Sequence, residues 1–307
     1  MKQRFFNPFT DTGFKIVFGK EKDKIILISF LNALLEGRPF YEPITDVRYG
    51  DKEVPRDRDC ARTAINDIHC ITQSGRHIIL EMQLEPHDNF EDRMICYSCR
   101  AVTEQMRRGQ WDFSIESVYS ICFTNFLLPG ADRRLVLDRA YCDLDTREPV
   151  SDRQRYLYIQ LPAFEYTNID ECTTELERWI YSLKHMPEMR EIPFAARDEA
   201  FRRLQQVGQI ESLSPEERRQ YDMDQKQLSI LYSIETSRLR EGKEIGIKIG
   251  EERGIKIGEE RGRKIGEERG KKQQLYETVT KLRTKGITDE MIANLLDIPI
   301  EKIANIR

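Results

Sequence analysis

The spacing of apolar positions changes several times along the chain. After Asp11, the residues Phe14, Val17 and Phe18 recur at helical spacing, so a short helix opens there, with Asp11 as its cap or in its first turn. Residues 24–35 are apolar almost all round and stop before Gly37, which predicts a second, buried helix. Residues 44–49 read as a first strand, and 50–60, with Pro55 and alternating charges, as a loop. Two strand-like runs follow, 62–72 and 77–84, joined by a hairpin at Ser74 and Gly75. A helix with a long polar face is expected over 90–108, then strands over 118–127, 135–141 and 156–161. Leu176, Trp179, Ile180 and Leu183 mark an amphipathic helix, and 194–204 is expected to be helical too.

From Ser214 the pattern dissolves into dense charge. Glycine then recurs every four residues from Gly242 to Gly270, within an eight-residue unit, IKIGEERG. Eight of the 17 glycines lie there. Each costs a helix about 1 kcal/mol relative to alanine, and Glu–Lys pairs four apart return only about 0.2–0.5 kcal/mol each. A stable lone helix does not follow. Two readings stay open: a marginal helix whose small residues allow close contact between chains, or a flexible linker. Residues 273–307 regain apolar periodicity as three short helices with a core of Leu275, Val279, Leu282, Met291, Ile292, Leu295 and Ile303. The arrangement is like a helix-turn-helix unit, with Asp289 and Glu290 opening its second helix.

Charge sharpens this division. The chain of 307 residues has a formal net charge of -4, which argues against holding nucleic acid by bulk positive charge. The repeat tract is mildly basic and the acidic excess lies in the residues before it. No secretory leader or membrane-length apolar run is seen, and the seven cysteines suit a reducing compartment, so a cytoplasmic protein is expected. Cys96 and Cys99 form a C-x-x-C without the second pair that zinc requires.

The candidate chemistry sits in the hairpin. In a strand, residues two apart share a face, so Asp67 goes with His69 and Glu81 with Gln83. If 67 pairs with 83 and 69 with 81, all four converge over a loop of residues 74–76. A slip of one residue would send Asp67 to the other face. Neighbouring carboxylates in a half-apolar sheet repel, and a divalent cation such as Mg²⁺ or Mn²⁺ removes that cost. Such a cation polarises a phosphoryl oxygen and activates water. The competing reading is that both acids are solvated on an exposed face. His69 is either a general base beside the acids or a partly buried sheet histidine. Arg93, Arg100 and Arg107, at seven-residue steps with Tyr97 between the first two, either grip phosphates or are a solvated face paired to Asp92 and Glu104.

The stretch PFTDTGFKIVFG, the helix ending FLNALLEG, D-I-x-C before G-x-x-I-I-L-E-M-Q, and F-x-x-R-x-x-x-Y together resemble the PD-(D/E)XK nuclease-family transposases, also called recombination-promoting nucleases. The resemblance continues through residues 176–181 and the glycine-repeat tail. It implies an α/β (α+β) restriction-endonuclease-like core, with a mixed central sheet flanked by helices, over residues 1–212. A charged helical segment with the glycine repeat (213–272) and a small helix-turn-helix-like module (273–307) follow. It implies Mg²⁺-dependent DNA endonuclease activity linked to recombination or mobile elements. Asp67 and Glu81 correspond to the metal ligands, and Gln83 stands where the wider superfamily has a lysine. Asp11 corresponds to a further catalytic carboxylate. Lys15, Arg93, Tyr97, Arg100 and Gln105 correspond to DNA-facing positions. Glutamine is neutral, so it can orient a water or a phosphate but cannot supply charge. The rival class is a non-catalytic DNA-binding or self-assembly protein on a decayed nuclease core. DNA is the expected partner, a membrane is not, and the 242–270 tract is expected to join copies of the chain.

Overall fold

A computed structural model describes residues 3–50, 68–106 and 113–306. Thr10 starts the first helix, α1 (Asp11–Phe18), by accepting the Gly13 N–H at 2.9 Å. Gly13 is required: a Cβ there would stand 2.3 Å from the Asn7 carbonyl oxygen. Then come α2 (Lys24–Leu35), β1 (Val47–Tyr49), β2 (Ile68–Thr72), β3 (His77–Gln83), α3 (Phe90–Thr103), β4 (Val118–Thr124), β5 (Val136–Cys142) and β6 (Pro149–Gln160). The six strands form one sheet in the order β1-β2-β3-β4-β6-β5. β3, β4 and β6 run parallel, and the remaining pairs are antiparallel. The sheet is therefore mixed, as the family resemblance implies.

Alternation along the strands divides the interior in two. Ile78 and Leu80 of β3, Ile121 and Phe123 of β4, and Leu157 and Ile159 of β6 join a large core with α1, α2, α4 (Glu175–His185) and α5 (Glu199–Val207). Phe123 lies at its centre, with the rings of Phe9, Phe14, Phe18 and Phe30 at 5.3–6.1 Å. The other face is covered by α3. This helix links the parallel strands β3 and β4, and such a connection must cross over one face of the sheet. Ile79 and Val118 pack there against Ala101, and Cys122 and Tyr158 against Phe90 and Met94.

Several elements differ in extent from expectation: β1 begins at Val47 rather than 44, α3 ends at Thr103 rather than 108, and β4 ends at Thr124 rather than 127. β6 begins at Pro149 rather than near residue 156, because Pro149, Ser151 and Arg155 also pair with β5 across an irregular register and Gln154 pairs with Val118 of β4. α5 begins at Glu199 rather than near residue 194, because the Asp198 carboxylate caps the Ala200 and Phe201 N–H groups.

The chain divides into two compact units, Met1–Ser229 and Ile230–Arg307. The start of α6 (Pro215–Thr284) belongs to the first. Its Tyr221 hydroxyl accepts the Asn7 N–H at 2.9 Å and its Asp224 carboxylate accepts the Thr12 N–H at 2.8 Å. In the second unit the glycine repeat is part of α6, and a Cβ on any glycine from Gly242 to Gly270 would meet nothing within 4 Å. The tail core is Val279, Ile292 and Ile303, flanked by Leu275, Leu282, Leu296 and Ile298, with α7 (Asp289–Leu296) and α8 (Ile300–Ala304) folded against the end of α6. Met291 and Leu295, expected in this core, are 63% and 67% exposed. Positions 291/295 and 292/296 are two i,i+4 rows about 100° apart, and only the second row turns inward. Arg283 ties the module together with paired bonds to Asp289 at 2.8 and 2.9 Å.

Candidate active site

β2 and β3 pair with Ile68 opposite Leu80, His69 opposite Ile79 and Ile71 opposite His77. The expected register put His69 opposite Glu81, two residues further on. The cause is the loop. Thr72 donates its N–H to the Arg76 carbonyl at 2.9 Å, so the loop is Gln73-Ser74-Gly75 and not 74–76. A three-residue hairpin loop needs the left-handed conformation at its last position, and Gly75 provides it with φ +88°. Moving the loop by one residue moves the register by two. A two-residue shift preserves the faces, so His69, Glu81 and Gln83 still share one side, but His69 lies further from Glu81 than expected.

That shared side faces α3, because Ile79 points there and Glu81 and Gln83 follow at steps of two. Glu81 is only 6% exposed. A carboxylate held that far from water is costly without a compensating charge or hydrogen bonds, which excludes the solvated-face reading for it. Asp67, the other expected metal ligand, lies outside the described residues, as does Arg107. Among the described residues no three His, Cys, Asp or Glu side chains gather at metal-binding distance.

Gln83 ends the strand and accepts a hydrogen bond from the Arg93 guanidinium of α3. Its own amide donates to the Glu85 carbonyl at 3.1 Å. Arg93 sits one turn after Phe90 and one turn before Tyr97, with its guanidinium carbon 5.9 and 6.0 Å from those ring centres. Tyr97 packs against both apolar clusters beneath α3. The arginine stripe therefore does not act as a unit: Arg93 turns to the sheet, whereas Arg100 is paired with Glu104 at 2.9 Å on the helix surface. Gln105 uses its amide on the backbone, accepting the Glu116 N–H at 2.7 Å and donating to the Ala101 and Glu116 carbonyls. This ties the end of α3 to the residues just before β4. The Arg93–Gln83 bond was missed from sequence; a glutamine among apolar strand residues needs a polar partner, and that requirement was the available signal.

His69, on the same face as Glu81, is paired with His77. Its Nε2 lies 3.1 Å from His77 Nδ1 and the two rings stack at 5.3 Å. Burial holds both imidazoles below the ordinary value of 6.5. The neighbouring His69 lowers His77 further, and the carboxylate of Glu104 opposes the shift on both. The geometry favours a neutral histidine pair within the sheet over a base beside Glu81.

Asp11 is the first residue of α1 rather than its cap, and it is exposed and paired with Lys15 at 2.7 Å. The inward residues of α1 contact Phe123, which pairs with Met82. α1 thus overlies the Glu81–Gln83 end of the strands, but on the opposite face. Asp11 and Lys15 are spent on each other, and their contacts do not join them to Glu81. Cys96 and Cys99 are free and exposed on α3. Among the described residues no helix is long and apolar enough to cross a membrane.

Comparison with known proteins gives one finding. The family model for PD-(D/E)XK nuclease family transposases matches residues 8–234, the sheet, all its flanking helices and the start of α6. No curated protein and no solved structure matches. The match spans well over half of the chain and includes the buried Glu81, Gln83 and Arg93 together, so this chain belongs to the PD-(D/E)XK nuclease family transposases.

Proposed function

We propose that the protein is a metal-dependent DNA endonuclease of the recombination or mobile-element type. Family membership supports a nuclease-like function, and the observation that carries the finer reading is the burial of Glu81 on the α3 face beside Gln83. We assign Glu81 and Asp67 as the carboxylates that hold Mg²⁺ or Mn²⁺. Carboxylate oxygens are the donors such hard cations take, and a cation offsets the cost of burying Glu81. When bound, the cation supplies charge neutralisation at the phosphate and a more acidic water.

The reaction is phosphodiester hydrolysis. The water oxygen bonds to phosphorus, one ester P–O bond breaks, and the leaving oxygen takes a proton. In this reading Glu81 fixes the reacting end of β3, Gln83 orients, Arg93 lies beside them with Tyr97 packed under the helix, and Arg100 on the surface of α3 meets DNA. Asp11 and Lys15 fall outside this set, because they neutralise each other. The tail takes a separate role. Its glycines meet nothing in their own chain, and we assign residues 242–270 to association between copies.

A plasmid-nicking assay tests the enzyme. Cleavage is expected with Mg²⁺ or Mn²⁺, lost on adding a chelator, and lost in Asp67→Ala and Glu81→Ala. A wild-type protein that never cuts, or variants that cut as well as wild type, supports the non-catalytic binding or assembly protein instead. For the tail, light scattering of a chain ended before Gly242 is expected to show a smaller assembly than the full chain. An unchanged state rejects association through this tract.

A further inference from the structure

Arg93 is unusual among the charged groups on α3. Glu91 pairs with Arg139 and Arg100 with Glu104, but among the described residues no carboxylate lies within ion-pair distance of Arg93. Its hydrogen-bond partner is the neutral amide of Gln83, contacted through Nη2. Its Nε is buried with no acceptor. Nη1 carries two more N–H groups, and among the described residues no acceptor is found for it, which leaves it for an incoming oxygen. A partly buried cation without a counter-charge is costly unless an anion completes it. Three side chains fix its position, the Phe90 and Tyr97 rings along the helix and the Gln83 amide from the sheet.

This group also stands where the chemistry needs it. Gln83 and Glu81 share a strand face about 6.6 Å apart along β3, from a rise of about 3.3 Å per residue. Phosphodiester hydrolysis builds negative charge on the phosphoryl oxygens, and a fixed, desolvated donor there is worth far more than one in water. Glutamine cannot provide that charge. We propose that Arg93 is a catalytic residue whose guanidinium binds the oxygens of the reacting phosphate, and that Gln83 is the positioning residue that holds it. Gln83 and Arg93 together thus act as one cationic unit divided between a strand and a helix. The inference rests on the endonuclease reading and goes beyond it, since a DNA-gripping arginine would affect binding and this one affects the chemical step.

The test uses the full chain. Single-turnover cleavage of a plasmid with Mn²⁺ is measured for wild type, Arg93→Gln, Arg93→Lys, Gln83→Ala and the double variant Arg93→Gln/Gln83→Lys. Metal-free binding of a DNA duplex is measured for Glu81→Gln with and without Arg93→Gln. Arg93→Gln is expected to cut about a hundredfold more slowly, a loss of the size found for one charge-stabilising donor. Its duplex affinity is expected to change less than about threefold, the modest effect of losing one phosphate contact among many. Gln83→Lys in the Arg93→Gln background is expected to recover part of the rate by restoring a cation. Arg93→Lys keeps the charge and serves if Arg93→Gln does not fold. Arg93 variants that cut at the wild-type rate, or lose binding in proportion to cutting, overturn the assignment. Wild-type protein that cuts nothing overturns the endonuclease reading itself, and this inference with it.

Discussion

The two faces of the sheet are built from the same strands but follow opposite rules. On the face covered by α1, α2, α4 and α5 the centre is apolar, with Phe123 touching four other phenylalanine rings, and the buried Arg155 is paired with Asp138. On the α3 face the apolar positions stop part-way along β3, and Glu81 and Gln83 take the next two inward places. Leu80 and Glu81 are neighbours in sequence and both are buried, yet they serve different ends. One face is built around an apolar centre whose buried arginine has its own carboxylate, and the other buries the carboxylate of Glu81 near the end of β3. That contrast is the strongest structural sign that the α3 side carries the chemistry.

The largest expected effect breaks the first face. Phe123→Ala removes a fully buried ring and is expected to cost about 3–5 kcal/mol, read by urea unfolding. A loss below about 1 kcal/mol would mean that this face is not the stabilising one. A smaller effect probes the polar face through pH. His69 and His77 are held below 6.5 when folded, so the unfolded chain takes up protons that the folded chain refuses. Their contribution is fully present above about pH 6.5 and is lost as pH falls toward the folded values. The melting temperature should therefore drop from pH 7.5 to pH 5.5, and His77→Gln should flatten that dependence. A wild-type curve with no slope in this window would contradict the buried pair.

The smallest effects contrast glycines. Gly13 stands 2.3 Å from where its Cβ would strike the Asn7 carbonyl, so Gly13→Ala should destabilise the first unit. Gly254→Ala meets open space and should instead stabilise the helix by about 0.5–1 kcal/mol, seen as greater helical circular dichroism on heating. A fall in helicity would mean that this glycine has a packing role. Glycines four apart advance about 40° around a helix per step. The row therefore winds around α6, and a straight partner helix would meet only part of it.

Much of this was legible in the chain. The elements of the first unit followed from spacing, and the mixed sheet from the family resemblance. The face shared by Glu81 and Gln83 was also foreseen, because a strand's alternation survives any even shift in register. The register itself was not, although Gly75 held the clue: its left-handed conformation fixes the loop one residue earlier than the polar pattern suggested. The tail core failed in a similar way, since two rows on α7 were apolar and spacing alone could not say which would turn inward. Arg93 was read as part of a surface stripe because periodicity reports which face a side chain leaves from, not the strand residue its far end reaches.

The most direct measurement compares Glu81→Gln with wild type in one preparation, by single-turnover cleavage with Mn²⁺ and by thermal melting. The expected result is cleavage slowed at least about a hundredfold, with melting unchanged or raised because a buried charge has been removed. Equal cleavage, or a loss of cleavage that comes with unfolding, would place Glu81 among the groups that hold the fold and not at its chemistry.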